Sequence, residues 1–415
     1  MGKRLFLLYL LICSMPVQAQ NSAEMEIQVV ASPTHGLYYM IECLIDQPHR
    51  SPEMASTFRG RMGNWGPAQD ALNEWEKQMN SDALSSLRLP AVQGRTPTLS
   101  DVLEKVALQA KNGEDLTARA APWLGPEAAA ALRNVLLVVE PLYEQYYWPG
   151  GAIKRKRETL LSDLKKADFQ TSFSHACAFY RGQLPPGHQP TVALIPYVKG
   201  ITEGKVRTRG HNSGDLQVIE VVVGQDDPGR AGVLFHEFVH ALWAGQNPEE
   251  KNRWQERFEA HGLMGRLAYV QLNEGLATAI GNGWFDRKVQ GQLNPKSWYS
   301  DPVIATYGRA LYPVVREALE FGRPPTDAEL DEMVDAFQRE LPEAVSTFDV
   351  VAANFTTVSS REEAHQARYQ KELMRLGQVK PRGRLGESST QRRHFSGSVA
   401  CQRFFSSGFC PAHSA

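Results

Sequence analysis

Three residues of this chain have the types and the spacing for metal-assisted chemistry. His236 and His240 stand four apart in His236-Glu237-Phe238-Val239-His240, inside a run from Val233 to Leu242 that reads as one helix. Residues four apart share a helix face, so both imidazoles aim at one point. Neutral imidazole is a borderline donor that suits a tetrahedral zinc ion. Glu237 is placed to act as a base on water held by such an ion. It is also the only charged residue between Ala231 and Ala244. Read simply as a buried helix with two core histidines, the segment leaves Glu237 buried without a partner, which is costly. The metal reading gives the carboxylate a function.

Zinc needs a third protein ligand and an open coordination position. Gln271-Leu272-Asn273-Glu274-Gly275-Leu276-Ala277 offers Glu274. Leu272, Leu276 and Ala279 make an apolar stripe at helical spacing, and Gly275 and Ala277 let this second helix approach the first closely. Glu259 is the rival. It lies in the charged run Trp254-Gln255-Glu256-Arg257-Phe258-Glu259-Ala260-His261, which reads as a solvated helix face. His261 is a further candidate that nothing in the sequence orients.

Val233-x-x-His236-Glu237-Phe238-Val239-His240-Ala241-Leu242 resembles the long signature of the zincin metallopeptidases. Trp243 and Gln246 stand where the metzincin branch has a glycine and a third histidine. The likeness is therefore to the gluzincin branch, whose Asn-Glu-Gly-x-Ala ligand segment is similar to Asn273-Glu274-Gly275-Leu276-Ala277. The resemblance implies a zincin-like catalytic core in which His236, His240 and Glu274 hold Zn2+. Glu237 would take a proton from the activated water and deliver it to the leaving amine. The gap to Glu274 is longer than is usual in that branch, whereas Glu259 falls at the usual distance. With Glu274 as ligand, Gln246 to Leu263 becomes an inserted helix or lid. Aminopeptidase-like gluzincins often place a tyrosine downstream of the Glu ligand to steady the developing oxyanion. The resemblance implies that role for Tyr307, in Thr306-Tyr307-Gly308-Arg309-Ala310-Leu311-Tyr312, with Arg309, Tyr312 and His211 as weaker candidates. A core tyrosine on an amphipathic helix is the competing reading of Tyr307.

The elements that position these residues are legible in outline. Thr191 to Tyr197 and Leu216 to Val223 are rich in β-formers, and the turn formers Gly204, Gly210, Asn212 and Gly214 lie between them. This reads as a β-hairpin feeding the histidine helix. In zincins an edge strand above that helix pairs with extended substrate backbone. Gln28-Val29-Val30 is a short β-like run. Apolar residues at three-to-four spacing predict helices over Gln69 to Met79, Leu99 to Ala110, Glu127 to Trp148 and Ile153 to Arg181. Thr326 is a candidate cap for a helix over Asp327 to Leu341. Tyr143, Tyr146, Tyr147 and Trp148 cluster at one helix end and read as core, with the wall of a cleft as the alternative. The fold class expected is α+β, mostly helical, with a small sheet before the histidine helix.

Met1-Gly2-Lys3-Arg4, the apolar run Leu5 to Cys13 and Val17-Gln18-Ala19 read as a secretory signal peptide over 1–19. Its apolar core is too short to span a bilayer. Export to the periplasm or outside the cell is the expectation, with no stable membrane insertion after cleavage. Cys43, Cys177, Cys401 and Cys410 would remain, and Cys401 with Cys410 makes the simplest bridge. Basic and acidic residues balance at 45 against 46, so nothing points to nucleic acid as a partner. The expected organisation is a helical N-terminal region over 20–182, a zinc metallopeptidase-like core over 188–322, C-terminal helices over 323–377 and a disordered basic tail over 378–415.

Together these readings predict a secreted or periplasmic zinc metallopeptidase acting on peptide or protein substrates. The main alternative is a non-catalytic cell-envelope binding or scaffold protein. A zinc hydrolase acting on a non-peptide bond is a minor third reading.

Overall fold

The structure is a computed structural model, and it describes residues 27–47, 50–61, 66–85, 87, 89, 97–182, 190–198, 207–213, 216–223, 230–345 and 408–411. The expected signal peptide, the part of the expected C-terminal helices beyond residue 345, Cys401 and most of the expected basic tail lie outside the described residues. Most of what is described is helical, with a small sheet, as an α+β chain requires.

In chain order, β1 (Gln28–Val30) leads into α1 (Pro33–Leu44), α2 (Pro52–Arg61), α3 (Gly66–Met79), the short α4 (Asp82–Ser85), α5 (Leu99–Gln109) and α6 (Gly113–Tyr146). Then come α7 (Gly151–Lys166), α8 (Phe169–Tyr180) and the strands β2 (Thr191–Val198), β3 (Arg207–Ser213) and β4 (Leu216–Val223). The histidine helix is α9 (Ala231–Ala244). It is followed by α10 (Pro248–Glu259), α11 (Gly262–Ala277), a π-helical segment over Thr278–Phe285, and α12 (Asp286–Gln290). The last elements are α13 (Pro302–Glu320), α14 (Asp327–Glu340) and β5 (Gly408–Pro411).

Local chemistry explains the boundaries of several helices. Thr326 and Glu329 form a reciprocal capping box on α14, and Thr98 and Asp101 do the same on α5. Ser32 caps α1, with Pro33 in the first turn where a missing N–H costs nothing. Within α6, Gly125 at φ 74° breaks the helical path between Pro122 and Pro126. A residue before proline avoids helical angles, and glycine tolerates positive φ, so a second helical stretch starts here. The expected start at Glu127 marks that break; the helical element itself begins at Gly113.

The sheet order is β1-β2-β4-β3-β5. β1, β2 and β4 are parallel, and β3 runs antiparallel to β4. The predicted hairpin is therefore corrected. Thr191–Val198 and Leu216–Val223 are neighbours, but they pair in parallel. The antiparallel partner of β4 is β3, a polar strand with the sequence Arg-Thr-Arg-Gly-His-Asn-Ser that carries no β-forming pattern. β5 falls in the expected disordered tail and pairs antiparallel along the first half of β3.

Alternation along the strands gives the sheet two covered faces. Val192, Leu194, Ile219 and Val221 join a core with α7, α8, α9, α11, α13 and α14. Ala193, Ile195, Leu216 and Val218 join a second core with α1, α2, α3, α5 and α6. Tyr143 and Tyr147 are buried in this second core against Phe58, whereas Tyr146 is exposed, so most of the aromatic cluster is core. The sheet is the shared layer between the N-terminal helices on one face and the helices around α9 on the other.

Candidate metal centre

The sequence of α9, Ala-Gly-Val-Leu-Phe-His-Glu-Phe-Val-His-Ala-Leu-Trp-Ala, is apolar on nearly every side because almost every side is covered. α11 and the π-helical segment cross it at close range. At Gly281 a Cβ would lie 2.5 Å from the backbone nitrogen of His236 and 2.7 Å from the Gly232 carbonyl, so only glycine lets the two backbones meet. Gly275, expected to face α9, instead faces α13, where a Cβ would meet the Tyr307 ring at 2.9 Å. The Gly281–Gly232 crossing brings Glu274 within reach of the α9 histidines. π-helical turns are rare and recur at functional sites.

His236, His240 and Glu274 converge, with one ligand atom from each lying within 4.8 Å of the other two. The Nε2 atoms of the two histidines are 3.0 Å apart. Glu274 Oε1 is 3.4 Å from His240 Nε2, and Glu274 Oε2 is 3.6 Å from His236 Nε2. Asn273 accepts a hydrogen bond at 3.1 Å from His240 Nδ1, which leaves the Nε2 lone pair turned toward the cluster. Burial pushes His236 down to about 3 and His240 down to about 4, so both rings are neutral donors at neutral pH. Glu274 Oε2 is buried without a hydrogen-bond partner. Converging lone pairs and an orphaned carboxylate oxygen are what a cation would satisfy, and this buried group could hold a metal ion.

Glu237 sits beside the cluster and is only 1% exposed. Asn212 of β3 donates to its side chain at 3.3 Å and to its main-chain carbonyl at 3.3 Å. Gly210, on the same face of β3, lies so close that a Cβ there would be 2.7 Å from Glu237 Oε1. Burial, and then the charge of Glu274, raises the Glu237 carboxyl well above its ordinary value. Burial also raises Glu274, opposed by His240 and by a hydrogen bond from Tyr299. The Tyr299 ring stacks on His236, with centroids 5.8 Å apart and planes 15° apart.

The rival ligands lie elsewhere. Glu259 accepts a hydrogen bond from Gln255 on α10, and His261 pairs with Asp331 on α14. Arg257 also pairs with Asp331, and Arg253 with Asp327. These contacts tie α10 to α14, so the inserted segment is a packed helix rather than a free lid. Tyr307 is corrected as an oxyanion donor. It is fully buried on Phe337, and its hydroxyl donates to the Met333 carbonyl. The Tyr312 hydroxyl accepts from Arg287, and Arg309 donates to the Asn294 and Lys296 carbonyls. His211 faces the opposite side of β3, onto Glu104.

Sequence reading missed Asn212, Gly210 and Tyr299. Asn212 and Gly210 look like turn formers in a polar strand, and Tyr299 lies in a loop without periodicity. Asn273 was within reach of sequence reasoning, because it directly precedes Glu274. The chain matches no protein-family model, and no curated protein and no solved structure matches it either.

Proposed function

We propose that this chain is a zinc-dependent peptidase of gluzincin type, exported to the periplasm or the cell exterior. The observation that carries the reading is the convergence of His236, His240 and Glu274 with Glu237 held beside them by β3. Two neutral imidazoles and one carboxylate form a donor set suited to zinc, leaving one position open. When bound, the ion supplies Lewis acidity toward water and toward a scissile carbonyl.

The chain's own groups do the rest. Asn273 fixes the tautomer of His240, so its donor nitrogen stays presented. Glu237 takes a proton from the attacking water and passes it to the leaving nitrogen. Asn212 holds the Glu237 carboxylate in place for both transfers. Tyr299 takes the donor role expected of Tyr307, because its ring lies on one ligand and its hydroxyl reaches another. Exclusion of bulk water strengthens each of these interactions. Peptide as the substrate class rests on the gluzincin-type set of residues itself, since the outer edge of β3 over 207–210 is taken by β5.

One observation favours a second reading. Every member of the cluster is buried, which suits a structural ion in a non-catalytic cell-envelope protein. A structural ion, however, has no use for a buried carboxylate beside its ligands. Digestion of a peptide library by the zinc-loaded protein, with and without chelator, separates the two readings. Cleavage should stop on chelation and return with zinc. Glu237→Gln should keep its zinc and lose ~10²- to 10⁴-fold in rate. Full activity in that variant would eliminate the mechanism, and no cleavage by the loaded wild type would favour the structural ion.

A further inference from the structure

β3 has two working faces. Gly210 and Asn212 face the α9 side and bracket Glu237. The intervening His211 faces the N-terminal helices, and its Nε2 lies 2.9 Å from Glu104 Oε2 on α5 and 2.9 Å from Arg50 Nη1. Arg50 in turn pairs with Glu42 on α1 and reaches Glu104 at 3.4 Å. One residue before Gly210, the ladder to β4 is replaced by a side chain: the Arg209 N–H donates to Glu220 Oε2 at 2.8 Å. Glu42, Glu104 and Glu220 are all at most 1% exposed.

None of these groups takes part in the chemistry proposed above. Apolar residues of similar volume would serve stability at least as well, because burying charges carries a large desolvation cost. What the network offers that apolar packing lacks is a set of directional contacts. They fix the height and register of one polar strand that has no hydrophobic alternation to do so. The two Asn212 contacts to Glu237 are long, at 3.3 Å, and a shift of about an ångström in β3 breaks them.

We propose that Glu104, acting through His211 and Arg50, is a positioning residue for Glu237: it holds β3 where Gly210 and Asn212 can clamp the carboxylate. The proposal rests on the hydrolase reading for its effect on rate, but not for its effect on the strand. On this proposal the N-terminal helices belong to the catalytic apparatus, although they contribute no ligand and no acid or base.

The test uses the full-length zinc-loaded protein with Glu104→Gln. Zinc content should stay at the wild-type level, because no ligand is touched. Amide exchange over 209–213 should quicken by about tenfold or more. kcat should fall by ~10- to 100-fold with KM little changed, as expected for a misplaced catalytic group. His211→Gln keeps a donor near the imidazole Nε2 and should retain most of the rate, whereas His211→Leu should lose it; this pair decides the matter if Glu104→Gln does not fold. Glu250→Gln, at another buried acid on α10 that does not touch β3, should leave kcat unchanged. Unaltered exchange in Glu104→Gln overturns the proposal, as does full kcat with faster exchange or an equal loss in Glu250→Gln. Should the wild type cleave no peptide, the hydrolase reading fails instead, and the exchange data still show whether the network holds the strand.

Discussion

At the scale of single residues, two tyrosines set the candidate centre against the packed core. Tyr307 satisfied the expected place in the sequence, yet its hydroxyl is committed to the Met333 carbonyl inside the core. Tyr299 had no distinguishing pattern, yet it lies on His236 and bonds to Glu274. Tyr307→Phe should therefore cost about 1 kcal/mol of stability through the lost hydrogen bond and leave kcat unaltered. Tyr299→Phe should leave zinc bound and lower kcat by ~10²-fold, as loss of a transition-state donor does. Thermal unfolding, zinc content and steady-state kinetics on the two variants would show the contrast; the opposite assignment of effects would return the donor role to Tyr307. The α9 pair was legible because a local repeat of four places both rings at once. Tyr299 was not, because its position depends on a loop held by distant partners. Among these are the Asn282 side chain donating to the Trp298 carbonyl and the Arg309 guanidinium over the Trp298 ring.

At the scale of elements, the centre depends on how closely two helical segments approach. Gly281, against Gly232 and His236, is the close contact with α9, and Gly275 seats α11 on Tyr307 and Leu311 of α13 from behind. Gly281→Ala would drive a methyl group into the His236 backbone, where nothing flexible can yield. It should cost roughly 1–3 kcal/mol or more and weaken zinc binding, seen as a lower Tm with zinc and a raised Kd in a chelator competition. An unchanged Kd would mean that the helix crossing does not set the ligand geometry. The apolar stripe of α11 announced a packed helix in the sequence, but the glycine at the α9 crossing is Gly281, whereas Gly275, expected there, faces α13. The π-helical continuation did not announce itself, because its local composition is that of an ordinary buried helix. β3 was hidden for a different reason: it buries polar side chains, and the groups that make this tolerable, such as Glu104, lie 107 residues away in the chain. Without those partners in view, two β-rich runs flanking a polar stretch read as a hairpin, when in fact they pair in parallel.

At the scale of the whole molecule, the sheet joins two helical layers and carries ionisable groups between them. Glu220 lies under the N-terminal helices, accepting hydrogen bonds from Tyr39 and from the Arg209 N–H. Burial pushes its carboxyl up to about 7 from an ordinary value of 4.5. A folded-state value above the unfolded one means that the folded protein keeps its proton longer. The stability this group allows is present below about pH 4.5 and is lost as pH rises through about 7, by roughly 3 kcal/mol. Glu220→Gln should remove that part of the slope, so the difference in unfolding free energy between variant and wild type should widen in the variant's favour from acid to neutral pH. A constant difference would show that Glu220 is already ionised in the fold. The central claim concerns the cation, and metal analysis of the purified full-length protein tests it most directly. The wild type, Glu237→Gln and Glu259→Ala should each carry close to one zinc per chain, and Glu274→Ala should carry almost none. Zinc retained by Glu274→Ala but lost from Glu259→Ala, or no metal in the wild type after zinc is supplied, would contradict the assignment.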